Sequence, residues 1–586
     1  MTPKALFRSA ALLLLFVGCH GQIGDSPGAE SPPPVGAGGG PGGNPVGGGG
    51  GAAPPVNETT PCNPAQKAFA PARLWQLTDD EYVNVVRDVL GITLTGEDAR
   101  IASAGAAGRY TNYSEELSID TQVAPNYQTA AAKVADLAEP RLAALVSPAP
   151  TTAQMRTFIT TKVARLWRRP LESAEIDSLL ALYAAGMPDG AGRGLHLVLE
   201  AVLQAPSFLY RTELGKGGAP NGSVQLTTFE LASALSFLFL ESAPDDTLWS
   251  KATSGELDTP AGLATEVDRL MALPAARTNM TLKASYWLGL AGISNRSRDS
   301  RLYPEWNEGL KTALGASVQM FLADIIANGK LADLFTSNRV YVNRQLGQLL
   351  GISGGQNSTL VPVEVPGNQR NAGILSQPGL IVAANRTIDR ADVVHRGLLV
   401  HEAFVCGGPV PPAPPEAGDE AKKMDGTERE RADARGMKAG CRPCHSRFDP
   451  LGLTFEHYDA LGRYTENKQA VLDSMTGVTS WVTSDKPIDA SAELADDGRG
   501  DGVAGQVDGL AGLAGKLAAA PVRVGNCASR RLAEYALGYN PAAENSCELK
   551  TVKDVLVTTG SFTQFFRALA LSPGFRTRNP STPSGM

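Results

Sequence analysis

One short segment combines residue types whose spacing permits definite chemistry. Cys441 and Cys444 are separated by two residues, and His445 follows directly. Two thiols at this spacing can add to the two vinyl groups of one porphyrin edge, and the adjacent imidazole is then placed to bind the iron as the proximal ligand. The segment therefore predicts covalent attachment of one haem c, with Cys441, Cys444 and His445 as the binding residues.

Two other functions of a C-x-x-C pair have to be weighed. A thioredoxin-type redox pair belongs to a strand-rich α/β context, whereas the flanks at 427–431 and 446–452 predict a helix and then a turn. A zinc site would need one or two further ligands at matching spacing, and the chain contains no second C-x-x-C and no H-x-x-x-H. Both alternatives agree less well with the sequence than haem does.

The second axial ligand of such a haem is left open by the sequence. Met437 lies four residues before Cys441 and would have difficulty reaching the opposite face of the ring, whereas Met475 lies far enough along the chain. Met475 is therefore the first distal candidate. Another part of the chain could instead donate His395 or His401, or the iron could be five-coordinate and open to small ligands.

Three further polar residues are weaker candidates for functional roles. Arg447 and Arg463 are candidates for pairing with haem propionates because a guanidinium fork matches a carboxylate, although a solvated arginine is the ordinary case. His196 lies in a periodic apolar segment over 194–204 and is predicted to be an ordinary structural residue.

The elements that must position these residues are predominantly helical. Thr78 with Glu81, and Thr227 with Glu230, form capping boxes ahead of apolar residues at helical spacing, and Gly91 ends the first run. Comparable periodic runs lie at 154–168, 173–184, 194–204, 310–327 and 505–518.

One segment departs from this helical pattern. Residues 471–492 place valines, an isoleucine and a tryptophan among turn residues, which predicts a short β-hairpin. The predicted fold class is therefore mainly α: a multidomain helical scaffold with a cytochrome c-like haem module and one short hairpin.

The N-terminus has the order of an export signal. Two basic residues precede an apolar run at 10–17, and the small Gly18 stands directly before Cys19. Residues 16–19, Phe-Val-Gly-Cys, resemble a bacterial lipobox, except that Phe16 occupies a position where an aliphatic residue is usual. Residues 1–19 are therefore predicted to be a lipoprotein signal peptide with a lipidated Cys19, and ordinary secretion with cleavage nearby is the alternative.

A tether is predicted to follow. Residues 31–60 contain 11 Gly and 7 Pro and no apolar side chain larger than Val, so they cannot bury enough surface to offset their chain entropy. We expect 20–61 to be a disordered linker that holds the folded part roughly 35–40 Å from the membrane. The last residues, 578–586, are predicted to be a disordered tail.

Composition limits the partners. The chain has 586 residues with Lys+Arg 53 against Asp+Glu 60 and a net charge of -7, so it has no electrostatic footprint for nucleic acid. After the N-terminus, charges interrupt every apolar run before the roughly 18–20 residues of a bilayer span, which restricts membrane contact to the lipid anchor. No Gly-rich phosphate loop, G-x-S-x-G elbow or H-E-x-x-H helix supports nucleotide binding or hydrolysis.

The residues around the thiols resemble a known family. Residues 441–464, CRPCHSRFDPLGLTFEHYDALGRY, are similar to the planctomycete-type cytochrome C domain, with its C-x-x-C-H-x-x-x-D-P-x-G followed by E-[NH]-[FY]-D-x-x-G-R. Further landmarks follow in the order of that multidomain family, at 77–91, 166–183, 203–213, 226–249, 331–343, 373–380, 396–415 and 527–539.

This resemblance implies a covalent haem in a helical scaffold. The flanking modules of the family are known as domains of unknown function, so it implies no substrate. The family pattern accepts His or Asn at the position of His457, which argues against an obligatory iron ligand there and favours a structural or propionate-contacting histidine.

The domain organisation follows from these landmarks. After the signal peptide and the linker, we expect helical domains at 62–150, 151–220 and 221–352, a cytochrome c-like haem domain at 370–470, and a helical domain at 471–577.

The remaining cysteines form an even set. Removing the lipid-linked and haem-linked residues from the chain's 7 cysteines leaves four. Cys527 and Cys547 enclose a short segment of one helical module, and a bridge there would contribute about 3 kcal/mol in an oxidising compartment. Cys62 with Cys406 is the remaining pairing, by elimination.

The sequence thus predicts an exported, lipid-anchored c-type haem protein of the periplasm, outer membrane or cell surface that acts in electron transfer or redox chemistry. Its motifs identify no redox partner protein. Two alternatives are a haem-dependent oxidoreductase acting on an extracellular polymer or small organic molecule, and a structural or binding lipoprotein.

Overall fold

The computed structural model describes residues 69–101, 112–114, 117–216, 223–367, 369–408, 410, 424–539 and 547–579. The predicted lipidation site Cys19, the linker 20–61 and Cys62 lie outside these residues, as does the side chain of Cys547. Helices dominate the described chain and its strands are short, so the predicted mainly α fold is confirmed.

The α-helices of seven or more residues span Asp79–Leu90, Ala124–Ala138, Thr152–Phe158, Ser173–Gly186, Ala191–Gln204, Thr228–Phe239, Asp246–Ser254, Pro260–Ala272, Pro274–Trp287, Glu308–Asn328, Arg344–Leu350, Pro378–Ala384, Val393–Ala403, Glu428–Met437, Arg442–Leu453, Gly509–Ala518, Pro521–Leu537, Cys547–Thr559 and Phe562–Leu571. Shorter α-helical segments are Leu142–Leu145, Ala164–Leu166, Pro206–Leu209, Asp333–Thr336 and Pro573–Arg576. Ile159–Val163 is a short π-helix. Short 3-10 helices span Gly96–Ala99, Glu139–Arg141, Met187–Asp189, Glu256–Asp258, Leu290–Asn295 and Gly373–Ser376.

Two helices begin at the capping boxes that the sequence predicts. The Thr78 hydroxyl accepts from the Glu81 amide at 3.3 Å, and the Glu81 carboxylate accepts from the Thr78 amide at 2.9 Å. Thr227 and Glu230 form the same reciprocal pair. Gly91 then ends the first helix in the left-handed conformation, with φ 66°.

Short strands bring distant parts of the chain together. Strand Ala70–Pro71 runs parallel to strand Thr577–Asn579, which also pairs antiparallel with Val224–Gln225. Strand Arg73–Gln76 pairs antiparallel with Tyr210–Glu213. These strand pairs therefore place the beginning and the end of the described chain next to each other, close to strand Tyr210–Glu213, which follows helix Pro206–Leu209.

The predicted disordered tail 578–586 is wrong at its first two residues. Arg578 and Asn579 pair with Ala70–Pro71, and Arg578 is 1% exposed. The side-chain amide of Asn579 also donates to the carbonyl of Phe69, which lies 510 positions earlier in the chain. Local composition does not reveal a partner so distant in the sequence. Residues 580–586 lie outside the described chain.

Two hydrophobic cores organise the helices. The first contains buried side chains from Leu77 to Ala243. The second contains Ala70 and buried side chains from Leu226 to Phe575, and it includes side chains from each of the segments predicted as domains 221–352, 370–470 and 471–577. Segment 370–470 therefore packs into a core that it shares with the segments before and after it.

Helix Glu308–Asn328 has the length and apolar composition of a membrane span, which the sequence analysis did not expect after the N-terminus. Half of its most apolar window is buried, and Leu314, Phe321 and Ile325 belong to the second core. This packing accounts for its hydrophobicity.

The predicted hairpin is confirmed with shifted bounds. Strand Lys468–Asp473 pairs antiparallel with Val478–Thr483, so that Lys468 lies opposite Thr483. A second antiparallel pair joins Ser491–Leu494 to Gly505–Asp508. The helix predicted from residue 505 therefore begins only at Gly509, after this strand.

Candidate haem-attachment site

The two thiols and the imidazole lie at the start of helix Arg442–Leu453, named here the attachment helix. Cys441 is its N-cap residue, and Pro443 lies in the first turn, where the N–H that proline lacks would have no intrahelical partner. Cys444 and His445 follow in the same turn. The helix start therefore brings together all three residues that the sequence assigns to haem binding.

These side chains match the needs of a haem. Both thiols are unbridged and half-buried, and the His445 side chain is 22% exposed. Within the described ranges, no group of three or more His, Cys, Asp or Glu side chains is arranged to bind a metal ion. A haem needs only thioether links and an axial ligand here because the porphyrin supplies the other ligands, so the donor set fits haem better than a bare ion.

A carboxylate orients the imidazole. The Nδ1 of His445 lies 3.0 Å from Oδ1 of Asp449, one helical turn further on. Because an ionised carboxylate only accepts, Nδ1 carries the proton, and the lone pair of Nε2 is left for a metal. The ring of Phe448 lies 4.9 Å from the imidazole ring, centroid to centroid, and limits its rotation.

A buried arginine holds this carboxylate in turn. Arg435 Nε donates to Oδ2 of Asp449 at 2.9 Å, and both side chains are nearly excluded from solvent. Arg435 belongs to helix Glu428–Met437, named here the arginine helix, which begins with a capping box formed by Thr427 and Glu430. The Nη2 atom of Arg435 is buried and has no hydrogen-bond partner among the residues that the structure describes.

A close crossing of two helices fixes the attachment helix. It packs against helix Val393–Ala403, named here the crossing helix. A Cβ atom added at Gly397 would lie 1.9 Å from the Phe448 carbonyl oxygen, and one added at Gly452 would lie 1.9 Å from the Val393 carbonyl oxygen. Two glycines therefore allow the two backbones to touch.

The crossing helix contains both histidines considered as distal ligands. His401 is buried, its Nε2 lies 3.2 Å from the Gly408 carbonyl oxygen, and burial together with Arg447 lowers its pKa. His395 is half-buried, with Nδ1 2.9 Å from Asp392. Each histidine thus has a ring nitrogen bonded to protein, and a distal role for either stays a prediction.

The methionine candidates lie at the surface. Met475 is 93% exposed in the turn of the first hairpin, and Met437 is 86% exposed at the last position of the arginine helix. Met475 as distal ligand therefore stays a prediction. The ring of His457 instead stacks on Tyr464 and its Nδ1 lies 2.8 Å from the Thr465 carbonyl, which is a structural arrangement.

Four family models match the chain, each described as a protein of unknown function. They are PSD3 (DUF1587) at residues 76–139, PSD5 (DUF1595) at 154–213, PSD4 (DUF1592) at 226–352 and PSCyt3 (DUF1588) at 371–468. All four are modules of the planctomycete-type cytochrome C proteins, and the last match contains the attachment helix. The chain belongs to this multidomain family. Searches of curated proteins and of solved structures gave no significant match.

The two arginines proposed for haem propionates have protein partners in this cytochrome C family member. Arg447 donates through Nη2 to the carbonyl of Gly407. Arg463 pairs with Asp459 at 2.6 Å and with Glu305 at 3.0 Å. Arg463 already pairs with two carboxylates and Arg447 with a backbone carbonyl, and a propionate-binding role for either arginine stays a prediction.

His196 lies far from this site in the sequence and belongs to the first core region. It is buried, with Nδ1 3.4 Å from Asp136 and from Glu139 and Nε2 3.3 Å from Glu200. These contacts join neighbouring helices, as expected of a structural residue.

The predicted disulfide Cys527–Cys547 is wrong, and so is the pairing of Cys62 with Cys406. The structure joins Cys406 to Cys527, which lie 121 positions apart in the sequence and whose Cα atoms are 5.5 Å apart. The end of the crossing helix packs against helix Pro521–Leu537, where Arg523 Nε donates to the Val405 carbonyl at 3.2 Å. Short sequence separation suggested the wrong pair because this contact joins distant segments.

A buried acid beside the attachment helix was missed by the sequence analysis. Glu456 lines a small cavity with Glu428, Tyr458 and Trp481. Its Oε2 accepts from Gln469 at 3.2 Å, and its Oε1 has no partner among the described residues. Burial and the nearby Glu428 raise the pKa of Glu456 to about 7. The signal in the sequence was its position as the glutamate of the quoted E-[NH]-[FY]-D pattern.

A second set of buried charges lies where the strands at the two ends of the described chain meet. We name it the junction cluster, and it comprises Arg73, Glu81, Arg211, Glu213, Glu241, Lys283 and Arg578. Glu213 accepts from Arg73 at 2.8 Å and from Arg578 at 2.9 Å. Lys283 donates to Glu241 at 2.7 Å. Its members come from separate segments, so no local pattern could have shown them.

Aromatic rings enclose part of this cluster. The guanidinium of Arg211 lies 3.6 Å from the Trp75 ring centroid and 4.5 Å from that of Phe237, and its Nη2 is 3.4 Å from Glu81. Burial raises the pKa of Glu81. Glu241 has a positive φ of 50°, an unusual conformation for a residue other than glycine. The cluster is a tightly constrained contact between modules.

Proposed function

We propose that this cytochrome C family protein is an exported, lipid-anchored haem c protein that transfers electrons. The observation that supports it best is the first turn of the attachment helix. Cys441 and Cys444 would form the two thioether links, and Nε2 of His445 would bind the iron, since Nδ1 is held by Asp449. When bound, the haem supplies one-electron chemistry at its iron.

The protein's own residues orient that group. Asp449 and Phe448 fix the imidazole, and the glycine crossing holds the attachment helix against its neighbour. The thiol side chains are half-buried rather than enclosed, which leaves an edge of the site open to a redox partner protein. Outer-sphere electron transfer needs such an accessible edge but no substrate pocket.

Haem attachment is tested by expression with haem c maturation machinery. The proposal expects covalent haem on a denaturing gel and its loss in the Cys441→Ala/Cys444→Ala variant. The matched control, Cys406→Ser/Cys527→Ser, also removes two cysteines and should keep the haem. Absence of covalent haem from the wild type, or its presence in the first variant, would refute the proposal.

Spectra of the reduced protein with and without carbon monoxide test the electron-transfer function. A six-coordinate iron, with Met475 as our first candidate for the second ligand, should bind carbon monoxide slowly. Met475→Leu should then accelerate binding, and Met437→Leu is its control. Rapid binding by the wild type would show an open position and favour the alternative, a haem-dependent oxidoreductase.

Two observations support export and anchoring. The residues before Cys19 have the order of an export signal and resemble a lipobox, which supports the anchor, and the Cys406–Cys527 bridge suits an oxidising compartment, which supports export. Mass spectrometry of the mature protein should find a lipid on Cys19, and Cys19→Ser should release the protein from membranes. An unmodified mature N-terminus at another position would refute the anchor.

A further inference from the structure

The histidine that would bind the haem iron rests on a buried ion pair. Asp449 accepts from His445 Nδ1 through one oxygen at 3.0 Å and from Arg435 Nε through the other at 2.9 Å. Asp449 and Arg435 are each 5% exposed. The carboxylate is thus shared between an imidazole and a guanidinium, with little access for water.

We propose that Asp449 is a positioning residue that fixes the tautomer of His445 and lowers the reduction potential of the haem. This inference rests on the proposed haem attachment. A carboxylate that accepts from Nδ1–H increases the electron density of the ring, which strengthens the bond from Nε2 to a metal and favours the more positive oxidation state. Bonds to an ionised acceptor are shorter and stronger than those to a neutral carbonyl.

The surroundings keep this contact in place. Asp449 and His445 lie one turn apart on the attachment helix, and the contact of Gly397 with the Phe448 carbonyl prevents this helix from sliding. Arg435 approaches from the arginine helix and holds the second carboxylate oxygen. The charge beside His445 therefore cannot rotate away without breaking a buried ion pair.

The test uses the haem-loaded protein with Asp449→Asn, which keeps the shape of the side chain and removes its charge. We expect covalent haem to be retained, the midpoint potential to rise, and the iron–histidine stretching frequency of the reduced protein to fall. For a six-coordinate iron, this frequency is recorded after photolysis of the carbon monoxide adduct. Asp433→Asn, an exposed aspartate on the arginine helix, is the matched control and should change neither quantity.

The outcomes separate this inference from the proposed function. An unchanged iron–histidine frequency in Asp449→Asn, even with a raised potential, would show that Asp449 acts only as a nearby charge and would overturn the inference. If Asp449→Asn does not fold, Asp449→Glu, which keeps the charge, should retain a wild-type-like frequency, and a fall there would overturn it. Missing haem in the wild type would instead refute the proposed function.

Discussion

Two buried carboxylates near the attachment helix have different neighbours. Asp449 lies between the guanidinium of Arg435 and the imidazole of His445. Glu456 accepts only from an amide and faces Glu428, and burial together with this second carboxylate raises its pKa more than nearby arginines lower it. The two acidic residues therefore differ in role: Asp449 holds an imidazole and a guanidinium, whereas Glu456 can bind a proton near pH 7.

Glu456→Gln should change how stability depends on pH. The pKa of Glu456 in the folded protein, about 7, lies above the unfolded value of ~4.3, so between these pH values the folded chain binds more protons than the unfolded chain. The free energy of unfolding therefore falls as the pH rises through this window, by about 4 kcal/mol in total. The variant, neutral throughout, should lack this decrease and exceed the wild type in stability at pH 8.

Chemical denaturation between pH 4.5 and 8 measures this difference. Glu493→Gln, which removes an exposed carboxylate, is the control and should follow the wild type. The prediction would be contradicted if the free energy of unfolding changed with pH in the same way in Glu456→Gln and in the wild type.

At the scale of elements, the position of the attachment helix depends on one helix crossing. The attachment helix and the crossing helix touch through Gly397 and Gly452, where any side chain would meet a backbone carbonyl. Backbone atoms cannot move aside as a flexible side chain can. The crossing therefore specifies where the first turn of the attachment helix lies relative to the rest of the core.

Gly397→Ala and Gly452→Ala should each destabilise the protein because the new methyl group forces the helices apart. Overpacking of this kind costs roughly 1–3 kcal/mol, and the displaced helix should also give a lower yield of attached haem. Gly436→Ala, on the arginine helix where no atom lies within 4 Å of the new Cβ, is the control and should stabilise by up to about 1 kcal/mol. Equal shifts of the unfolding temperature in all three variants would contradict the prediction.

Local signals explain which elements could be predicted from the sequence. The capping boxes of Thr78 and Thr227, the hairpin near residue 471 and the turn that contains Cys441 all depend on residues close together in the chain. The hairpin begins at Lys468, three residues earlier than predicted, because strand pairing rather than composition determines its end.

Long-range contacts explain what could not be predicted. The bridge from Cys406 to Cys527 spans 121 residues, and Arg578 pairs with a strand at the beginning of the described chain. The sequence contains the Asp449 that supports His445, but its partner Arg435 lies on another helix. Only the packing of helices brings such groups together.

At the scale of the whole molecule, the Cys406–Cys527 bridge joins the module at 371–468 to helix Pro521–Leu537. Cys406→Ser/Cys527→Ser should lower the stability by roughly 2–5 kcal/mol, as for other native bridges, because the unfolded chain loses a long closed loop. Thermal unfolding with and without reductant measures this loss of stability. Reductant should lower the unfolding temperature of the variant less than that of the wild type. Recovery of Cys406 and Cys527 as free thiols in non-reducing peptide maps would contradict the bridge itself.

The junction cluster stabilises the molecule where its N-terminal, central and C-terminal segments meet. Glu241 and Lys283 are nearly buried and lie 2.7 Å apart, and Glu241 holds a positive φ that costs of order 1–3 kcal/mol. Removing one partner leaves an uncompensated charge in a low-dielectric site. The two residues should therefore be strongly coupled in stability.

A double-mutant cycle measures this coupling. We expect Lys283→Met and Glu241→Gln each to cost about 3–5 kcal/mol, whereas the double variant should recover much of that loss because no unpaired charge remains. The more exposed pair of Lys133 and Asp98, 3.3 Å apart, provides the control, and Lys133→Met should cost at most about 1 kcal/mol. Additive losses in the cycle would show that the two charges act independently, and the junction cluster would then owe its stability to packing around the aromatic rings instead.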